Sequence, residues 1–317
     1  MIFYKSSSVL YNYRYKDFCV EGGISMSRTA LPVLAVCAGY IIWGFSFLFI
    51  QTALNYAEPN VMLAVRFVIA FLLINIPLLT KKQTISLKGK PVKTLILFSL
   101  LEPVYFFIES YAVLYTNTTY TGVGLAVSPI FSIALAAVLL KEFPSHRQLL
   151  FCTLPITGVI IMTVSGSSLG IVSPVGMLFL AGLCLASATK KTLNRVSSMD
   201  FTTYERTYFI MLSNAVTFPV AALISTKGQL SSFVEPLTHP QFILSILVLC
   251  IFCSVAANML VNYAAGKMSV ARFSSFGTIT TVCSAFAGVI FLGEPCTPPI
   301  FIGAALIIIG IRMVMKS

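Results

Sequence analysis

The chain has 317 residues, of which 57% are hydrophobic and only 10% are charged, and its mean hydropathy is +0.92. Because an average soluble domain has about 25% charged residues, this composition excludes a disordered or collagen-like chain and argues against a soluble enzyme. The net charge of +11, in a membrane protein, marks cytoplasmic loops rather than nucleic-acid binding. The composition therefore predicts an all-α polytopic membrane protein.

Ten continuous apolar runs are long enough to cross a bilayer core of roughly 30 Å, which needs about 20 helical residues. Hydrophobicity that is continuous rather than alternating favours helices over membrane strands. The predicted spans are residues 31–55, 59–79, 92–115, 119–140, 148–165, 174–192, 203–225, 241–264, 270–292 and 298–315.

The basic residues alternate along these spans as a topology with both termini in the cytoplasm requires. Nineteen of the 21 basic residues then lie on the cytoplasmic side, whereas Arg66 lies within a span and Lys227 lies outside. Lys190 and Lys191, at the end of the sixth span, are interpreted as members of this cytoplasmic set. The sequence therefore predicts cytoplasmic N- and C-termini and no cleaved signal peptide.

Residues 1–25 are polar and tyrosine-rich, unlike the rest of the chain. Glu21–Gly23 can be encoded by a purine-rich ribosome-binding sequence, so one hypothesis is that Met26 is the true start and that the preceding residues are not translated. The alternative is a disordered cytoplasmic tail, which would extend over residues 1–30.

Ten spans divide into two sets of five, and an odd number in each set gives the two sets opposite orientations. An offset of 152 residues aligns residues 111–158 with residues 263–310. The identities in this alignment include Tyr111 with Tyr263, Glu142 with Glu294, and Gly158 with Gly310. Inverted repeats allow a site near the midplane to open to either side of a membrane. The sequence therefore predicts two five-helix repeats, residues 31–166 and 173–316, and a transport function.

Several short motifs lie in or beside the predicted spans: Gly39–Phe47, Arg66–Phe67, Tyr111–Tyr115, Ser128–Phe131, Leu140–Glu142 and Leu292–Glu294. Together with the duplicated ten-span pattern, they resemble the drug/metabolite transporter superfamily, EamA type, over about residues 31–315. The resemblance implies a carrier of the cytoplasmic membrane, often an exporter of amino acids, nucleotides, vitamins or drugs, with a cavity between its halves. It also implies a structural role for Arg66, because arginine is usual near this position in the family.

Charged side chains inside the predicted spans are costly to bury, so they are candidates for function. Glu102 and Glu109 are seven residues apart on one face of the third span. Glu102 lies about 14 Å from the cytoplasmic end, whereas Glu109 and Arg66 lie at matching depth near the outer side. We predict a structural ion pair between Arg66 and Glu109. Glu102 is then an unpaired carboxylate that binds substrate and exchanges a proton; the alternative is a hydrogen bond to a neighbouring helix.

Aromatic residues accompany this carboxylate. Trp43, the only tryptophan, lies in the middle of the first span, Tyr40 precedes it by three residues, and Tyr105 follows Glu102 by three residues. Aromatic faces beside a carboxylate suit an organic cation or an aromatic amphiphile. The predicted substrate-binding residues are Glu102, Trp43, Tyr40 and Tyr105, with core packing as the alternative for the aromatic ones. No catalytic residue, metal ligand or cofactor is predicted.

These features favour a secondary transporter of the cytoplasmic membrane that exports a small organic metabolite or drug-like compound by alternating access, with proton coupling as a further hypothesis. The alternatives are an importer or exchanger of a nucleotide-like or amino-acid metabolite and, from another class, a non-transporting membrane sensor or scaffold. The expected partners are a small-molecule substrate, the lipid bilayer and protons, with no nucleic acid. The expected state is a monomer or a homodimer.

Overall fold

A computed structural model describes residues 26–115, 118–164, 174–291 and 298–317, and the regular structure in these ranges is helical throughout. We label the long helical segments α1 (Met26–Leu54), α2 (Pro59–Leu79), α3 (Val92–Tyr115), α4 (Thr118–Leu139), α5 (His146–Val164), α6 (Pro174–Ser197), α7 (Thr203–Ser225), α8 (Pro240–Ala265), α9 (270–291) and α10 (Pro298–Lys316). Short turns at Ser231–Val234 and Glu235–Thr238 precede α8. The hypotheses for residues 1–25 and the predicted turn containing Glu294 lie outside the described residues.

The helices are apolar on their exposed as well as their packed faces. Four segments are long and apolar enough to cross a membrane: Ala30–Leu54, Pro59–Leu79, Thr203–Ser225 and Pro240–Ala265. Large apolar side chains are also exposed on other helices, including Val138 at 77% and Leu178 at 73%. Lipid, not water, solvates a surface of this kind. The protein is therefore an all-helical multi-pass membrane protein, while the full count of ten spans stays a prediction.

Two of the helices are irregular where α1 packs against them. Leu249–Ala256 forms a π-helical segment in the middle of α8. Phe276–Thr278 forms a 3-10 turn that interrupts α9. Such segments displace backbone groups from the regular α-helical hydrogen-bond pattern, and they are frequent at functional sites. The inner face of α1 therefore meets irregular backbone on both neighbouring helices.

Helix contacts follow a reciprocal pattern between α1–α5 and α6–α10. α2 packs against α7 and α5 packs against α10, so each of these helices contacts the one five positions later. α1 packs against α8 and α9, and correspondingly α6 packs against α3 and α4. The largest buried cluster is contributed by both sets and includes Phe67, Phe98, Phe218 and Phe242. The pattern of contacts is thus unchanged when the two sets of five helices are exchanged.

α5 and α10 meet through Gly158 and Gly310, the two glycines that the sequence alignment pairs. A Cβ atom on Gly158 would lie 2.5 Å from the carbonyl oxygen of Gly303, and one on Gly310 would overlap the ring of Pro155. Small residues at a membrane helix contact allow the two backbones to approach closely. The absence of a side chain at Gly158 and at Gly310 therefore allows α5 and α10 to pack closely.

We expect Gly310→Ala to lower the melting temperature of the purified protein by roughly 2–12 °C, because overpacking against a rigid proline ring costs about 1–3 kcal/mol. The measurement is thermal unfolding in detergent. Gly182→Ala is the matched control, since its added methyl group would approach only Ile108, at 3.8 Å. A Gly310→Ala protein that melts together with this control would contradict the close contact.

Candidate substrate-binding site

A buried ion pair joins α3 to α6 in the interior of the protein. Glu102 Oε2 and Lys190 Nζ lie 2.6 Å apart, and the glutamate is only 4% exposed. The helices run in opposite directions, since the rings of Tyr111 and Phe179 also stack, at 5.4 Å between centroids. Glu102, about 15 Å from the start of α3, therefore meets Lys190, about 10 Å from the end of α6. The expectation that Glu102 is unpaired is wrong, because a long lysine side chain reaches it.

Tyr105 extends this ion pair along α3. Lys190 Nζ lies 4.7 Å from the centroid of the Tyr105 ring, a distance that allows a cation–π interaction. The Tyr105 hydroxyl donates a hydrogen bond to Glu109 Oε1 at 3.0 Å. The spacing of three and four residues places Glu102, Tyr105 and Glu109 on one helix face. These three predicted residues therefore form one continuous polar group with Lys190.

Arg66 is buried in a different environment. Its Nε donates to Ser254 Oγ at 2.8 Å, and its guanidinium carbon lies 5.2 Å from the ring centroid of Phe67. Among the described residues, no carboxylate lies within ion-pair distance of Arg66, so the predicted pair with Glu109 is wrong. The reason is helix adjacency: Arg66 faces the π segment of α8, whereas Glu109 accepts its hydrogen bond from Tyr105, four residues earlier on its own helix.

Tyr40 and Trp43 form an aromatic pair on α1. Their ring centroids lie 5.4 Å apart in an edge-to-face arrangement, and Tyr40 also contacts Phe273 of α9 at 6.3 Å. Trp43 Nε1 donates to the carbonyl oxygen of Cys253 at 2.9 Å. This carbonyl belongs to the π segment of α8, whose irregular backbone leaves it available to a side chain. The tryptophan is therefore held by a specific hydrogen bond as well as by packing.

Lys191 lies beside this aromatic pair. Its Nζ is 2.9 Å from Ser128 Oγ, and Ser187 Oγ lies 3.4 Å from the same oxygen. A Cβ atom placed on Gly277 would lie 3.8 Å from Lys191 Nζ and 3.9 Å from the Tyr40 hydroxyl oxygen. The lysine and the tyrosine thus both lie close to the glycine of the 3-10 turn, and the serine contacts the lysine.

Sequence reasoning missed Lys190 and Lys191 as site residues, because it assigned them to the cytoplasmic border. The structure continues α6 to Ser197, so both lysines lie about 10 Å inside the helix. The signal available in the sequence was Arg195, the basic residue in the last turn of α6. If Arg195 marks the cytoplasmic end of the helix, then Lys190 and Lys191 lie deeper in the span. The two adjacent lysines have different partners, Glu102 for Lys190 and Ser128 for Lys191.

A second polar network lies at the ends of α6, α7 and α8. Arg206, only 2% exposed, donates to the carbonyl oxygen of Asn262 at 2.7 Å and to the carbonyl and side-chain oxygens of Asn194. Asn194 Nδ2 donates to Asn262 Oδ1 at 2.8 Å. The network joins three helix ends without a carboxylate, so it supports packing rather than charge neutralisation.

Two further ion pairs lie near this network. Lys90 Nζ and Glu205 Oε2 are 2.9 Å apart, and Glu205 also closes the N-terminus of α7 in a capping box with Thr202. Arg195 Nε and Glu142 Oε1 are 3.2 Å apart, and Glu142 accepts a hydrogen bond from the backbone nitrogen of Val270. Within the described ranges, no cluster of three or more His, Cys, Asp or Glu residues is arranged to hold a metal ion.

Comparison with known proteins gives consistent results. A family model described as the EamA-like transporter family matches residues 30–164 and again residues 174–316. A protein of Bacillus subtilis (strain 168) named uncharacterized transporter YcxC is 30% identical over 292 residues, which is 91% of this chain and 93% of that protein. An uncharacterized transporter of Archaeoglobus fulgidus is 24% identical over 284 residues, 87% of this chain and 95% of its own length.

A solved protein crystal structure has the same fold, with a TM-score of 0.73 over 90% of this chain and 96% of its own, at 15% sequence identity. The family model covers most of the chain in two successive matches. These matches agree with the apolar helices and with the motifs of α1 to α4. The chain belongs to the EamA-like transporter family and is a multi-pass membrane transporter.

Proposed function

We propose that the protein exports a small organic metabolite across the cytoplasmic membrane by alternating access between residues 31–166 and residues 173–316. One observation carries the proposal: each ion pair formed among the described residues joins one of these segments to the other. The pairs are Lys90 with Glu205, Lys190 with Glu102, and Arg195 with Glu142. Charges at an interface between rigid units stabilise the arrangement in which they meet relative to the one in which they part.

The reciprocal helix contacts support two repeats of inverted topology. The pairs α2 with α7 and α5 with α10 are what a two-fold axis between five-helix units produces, as are the exchanged contacts of α1 and α6. In the proposed topology all ten helices cross the membrane and both termini are cytoplasmic. Rocking of one unit against the other then opens the site at Glu102 to each side in turn.

In this orientation, two of the ion pairs close the cytoplasmic side. Lys90 precedes α3 and Glu205 opens α7, while Arg195 ends α6 and Glu142 lies in the connection between α4 and α5. All four residues belong to the side of the membrane where the termini lie. We therefore assign these pairs to a cytoplasmic gate that must open when cargo enters from the cell.

The ion pair of Glu102 with Lys190 provides a route to proton coupling. A cargo group that replaces either partner leaves the other charge without its counter-ion in a low-dielectric interior. Protonation of Glu102 or deprotonation of Lys190 then becomes favourable. Cargo movement and proton movement are thereby linked at one pair of side chains.

The test is efflux from proteoliposomes loaded with a defined mixture of amino acids, organic acids, nucleosides, nucleotides and polyamines, followed by mass spectrometry of the outside solution. We expect selected solutes to leave faster than from protein-free vesicles, and a pH gradient to change their rate. The Arg312→Met variant, altered at an exposed basic residue, is the control for loss of a positive charge and should release the same solutes as the wild type. Equal loss of every solute from vesicles with and without protein would reject a transport function for this mixture of classes.

A further inference from the structure

We infer that Lys191, Ser128 and Tyr40 form a binding site for an anionic group, a carboxylate or a phosphate, on the transported compound. The inference rests on the proposed transport function, which it deepens by naming the chemical class of the cargo. The site is separate from the ion pair of Glu102, although Lys190 and Lys191 are adjacent in α6.

The charge balance of the interior favours an anionic ligand. Away from the helix ends, the charged residues of the described helices are the cations Arg66, Lys190 and Lys191 and the carboxylates Glu102 and Glu109. Glu102 is paired with Lys190 and Glu109 is bound to the Tyr105 hydroxyl. Among the described residues, no carboxylate lies within ion-pair distance of Lys191. A net positive charge inside apolar helices is costly, and a ligand anion would neutralise it.

The polar groups around Lys191 suit such an anion. Ser128, only 1% exposed, is 2.9 Å from Lys191 Nζ and 3.4 Å from the hydroxyl of Ser187. Hydroxyl and ammonium groups are hydrogen-bond donors to carboxylate and phosphate oxygens. A ligand oxygen that takes the place of Ser128 as the acceptor for Lys191 leaves the serine free to act as a second donor.

The 3-10 turn of α9 provides the space. Gly277 has no side chain, and the position its Cβ would occupy lies 3.8 Å from Lys191 Nζ and 3.9 Å from the Tyr40 hydroxyl oxygen. Interrupted helices line the ligand sites of many transporters, since unwound backbone can approach the bound group. The glycine therefore keeps this position open between an ammonium group and a hydroxyl group.

The aromatic neighbours limit the rest of the cargo. Tyr40 is in contact with Trp43 at 5.4 Å and with Phe273 at 6.3 Å. An apolar or aromatic body attached to the anionic group would pack on these rings. The expected cargo is a small amphiphilic anion or zwitterion, and an organic cation without an acid group does not fit.

Trp43 gives a direct assay, because it is the only tryptophan in the chain and it contacts Tyr40. The purified full-length protein is titrated with benzoate, phenyl phosphate, benzylamine and benzyl alcohol while indole fluorescence is recorded. We expect saturable changes with benzoate or phenyl phosphate, and none with the amine or the alcohol. The tighter of the two anions identifies carboxylate or phosphate as the preferred group.

Variants assign the response to Lys191. We expect Lys191→Met to weaken anion binding at least about tenfold, which corresponds to the loss of one charge-assisted hydrogen bond. Lys191→Arg should retain binding, Gly277→Val should block it, and the loop variant Lys227→Met should bind as the wild type does. Should Lys191→Met fail to fold, Gly277→Val and Lys191→Arg give the same decision.

Three results would overturn the inference: no anion-dependent change, a response to benzylamine alone, or full anion binding by Lys191→Met or Gly277→Val. Because the assay detects binding without transport, its outcome is independent of the proposed function. Anion binding in a protein that moves no solute would establish the anion site but would reject the proposed export, and with it the assignment of the bound group to a transported compound. Transport of solutes that lack an acid group, without anion binding, would reject the anion site and leave the transport function standing.

Discussion

Neutralising Glu102 should slow transport strongly and also lower the stability of the folded protein. In Glu102→Gln, Lys190 keeps its charge but loses the carboxylate 2.6 Å away, and leaving one partner of a buried ion pair uncompensated costs about 3–5 kcal/mol. We expect solute efflux from proteoliposomes to fall at least about tenfold, and the melting temperature to drop. Initial efflux rates at several pH values, together with thermal unfolding in detergent, measure both effects.

A double variant separates the two effects. Glu102→Gln with Lys190→Gln removes both charges, so the melting temperature should return toward that of the wild type while efflux stays low. Glu235→Gln, at an exposed carboxylate in the connection before α8, is the matched control. A Glu102→Gln protein that transports at the wild-type rate with unchanged pH dependence would show that this carboxylate takes no part in coupling.

Arg206→Met should lower the stability of the protein strongly without involving Glu102 or Lys191. It removes the donors to the carbonyl oxygen of Asn262 and to both oxygens of Asn194. The two carbonyl oxygens keep a second donor, the backbone N–H of Gly266 on Asn262 and that of Ser198 on Asn194. Each of these lost hydrogen bonds costs about 0.5–1.5 kcal/mol, and the side-chain oxygen of Asn194, which loses its charged donor, costs about 1–3 kcal/mol. We expect a protein destabilised by about 2–5 kcal/mol, with much less of it recovered as a single species in size-exclusion chromatography.

The comparison is with Arg312→Met, the same substitution at an exposed residue of α10. Arg206→Lys should be intermediate, because an ammonium group can keep only part of the network. A melting temperature for Arg206→Met equal to that of Arg312→Met would mean that the network at the ends of α6, α7 and α8 contributes nothing to stability.

Hydropathy predicted the positions of the helices closely. The predicted spans 59–79 and 203–225 have the same limits as α2 and α7, and 241–264 differs from α8 by one residue at each end. The error at α6 was larger, since its predicted end at residue 192 falls short of Ser197. Hydropathy falls at the polar residues near the end of this helix, although the backbone remains helical.

The pairing of charges could not be predicted in the same way. Depth along a helix placed Arg66 level with Glu109, but it did not show that α2 packs against α7 and α8 while α3 packs against α6. Nor does any local pattern mark the π segment of α8, whose Cys253 carbonyl receives the Trp43 hydrogen bond. Which helices are neighbours follows from packing of the whole chain, so Glu102 and Tyr105 were predicted as candidate site residues without their partner Lys190.

The most direct measurement of the alternating-access mechanism is efflux from a protein locked on its cytoplasmic side. Lys90→Cys and Glu205→Cys, whose native side chains meet at 2.9 Å, are joined by a short cleavable thiol cross-linker, with each single variant as a control for the reagent. We predict that cross-linking lowers the initial efflux rate at least about tenfold and that cleavage restores it. An unchanged efflux rate in the cross-linked protein would show that the two halves need not separate there, and would contradict the mechanism.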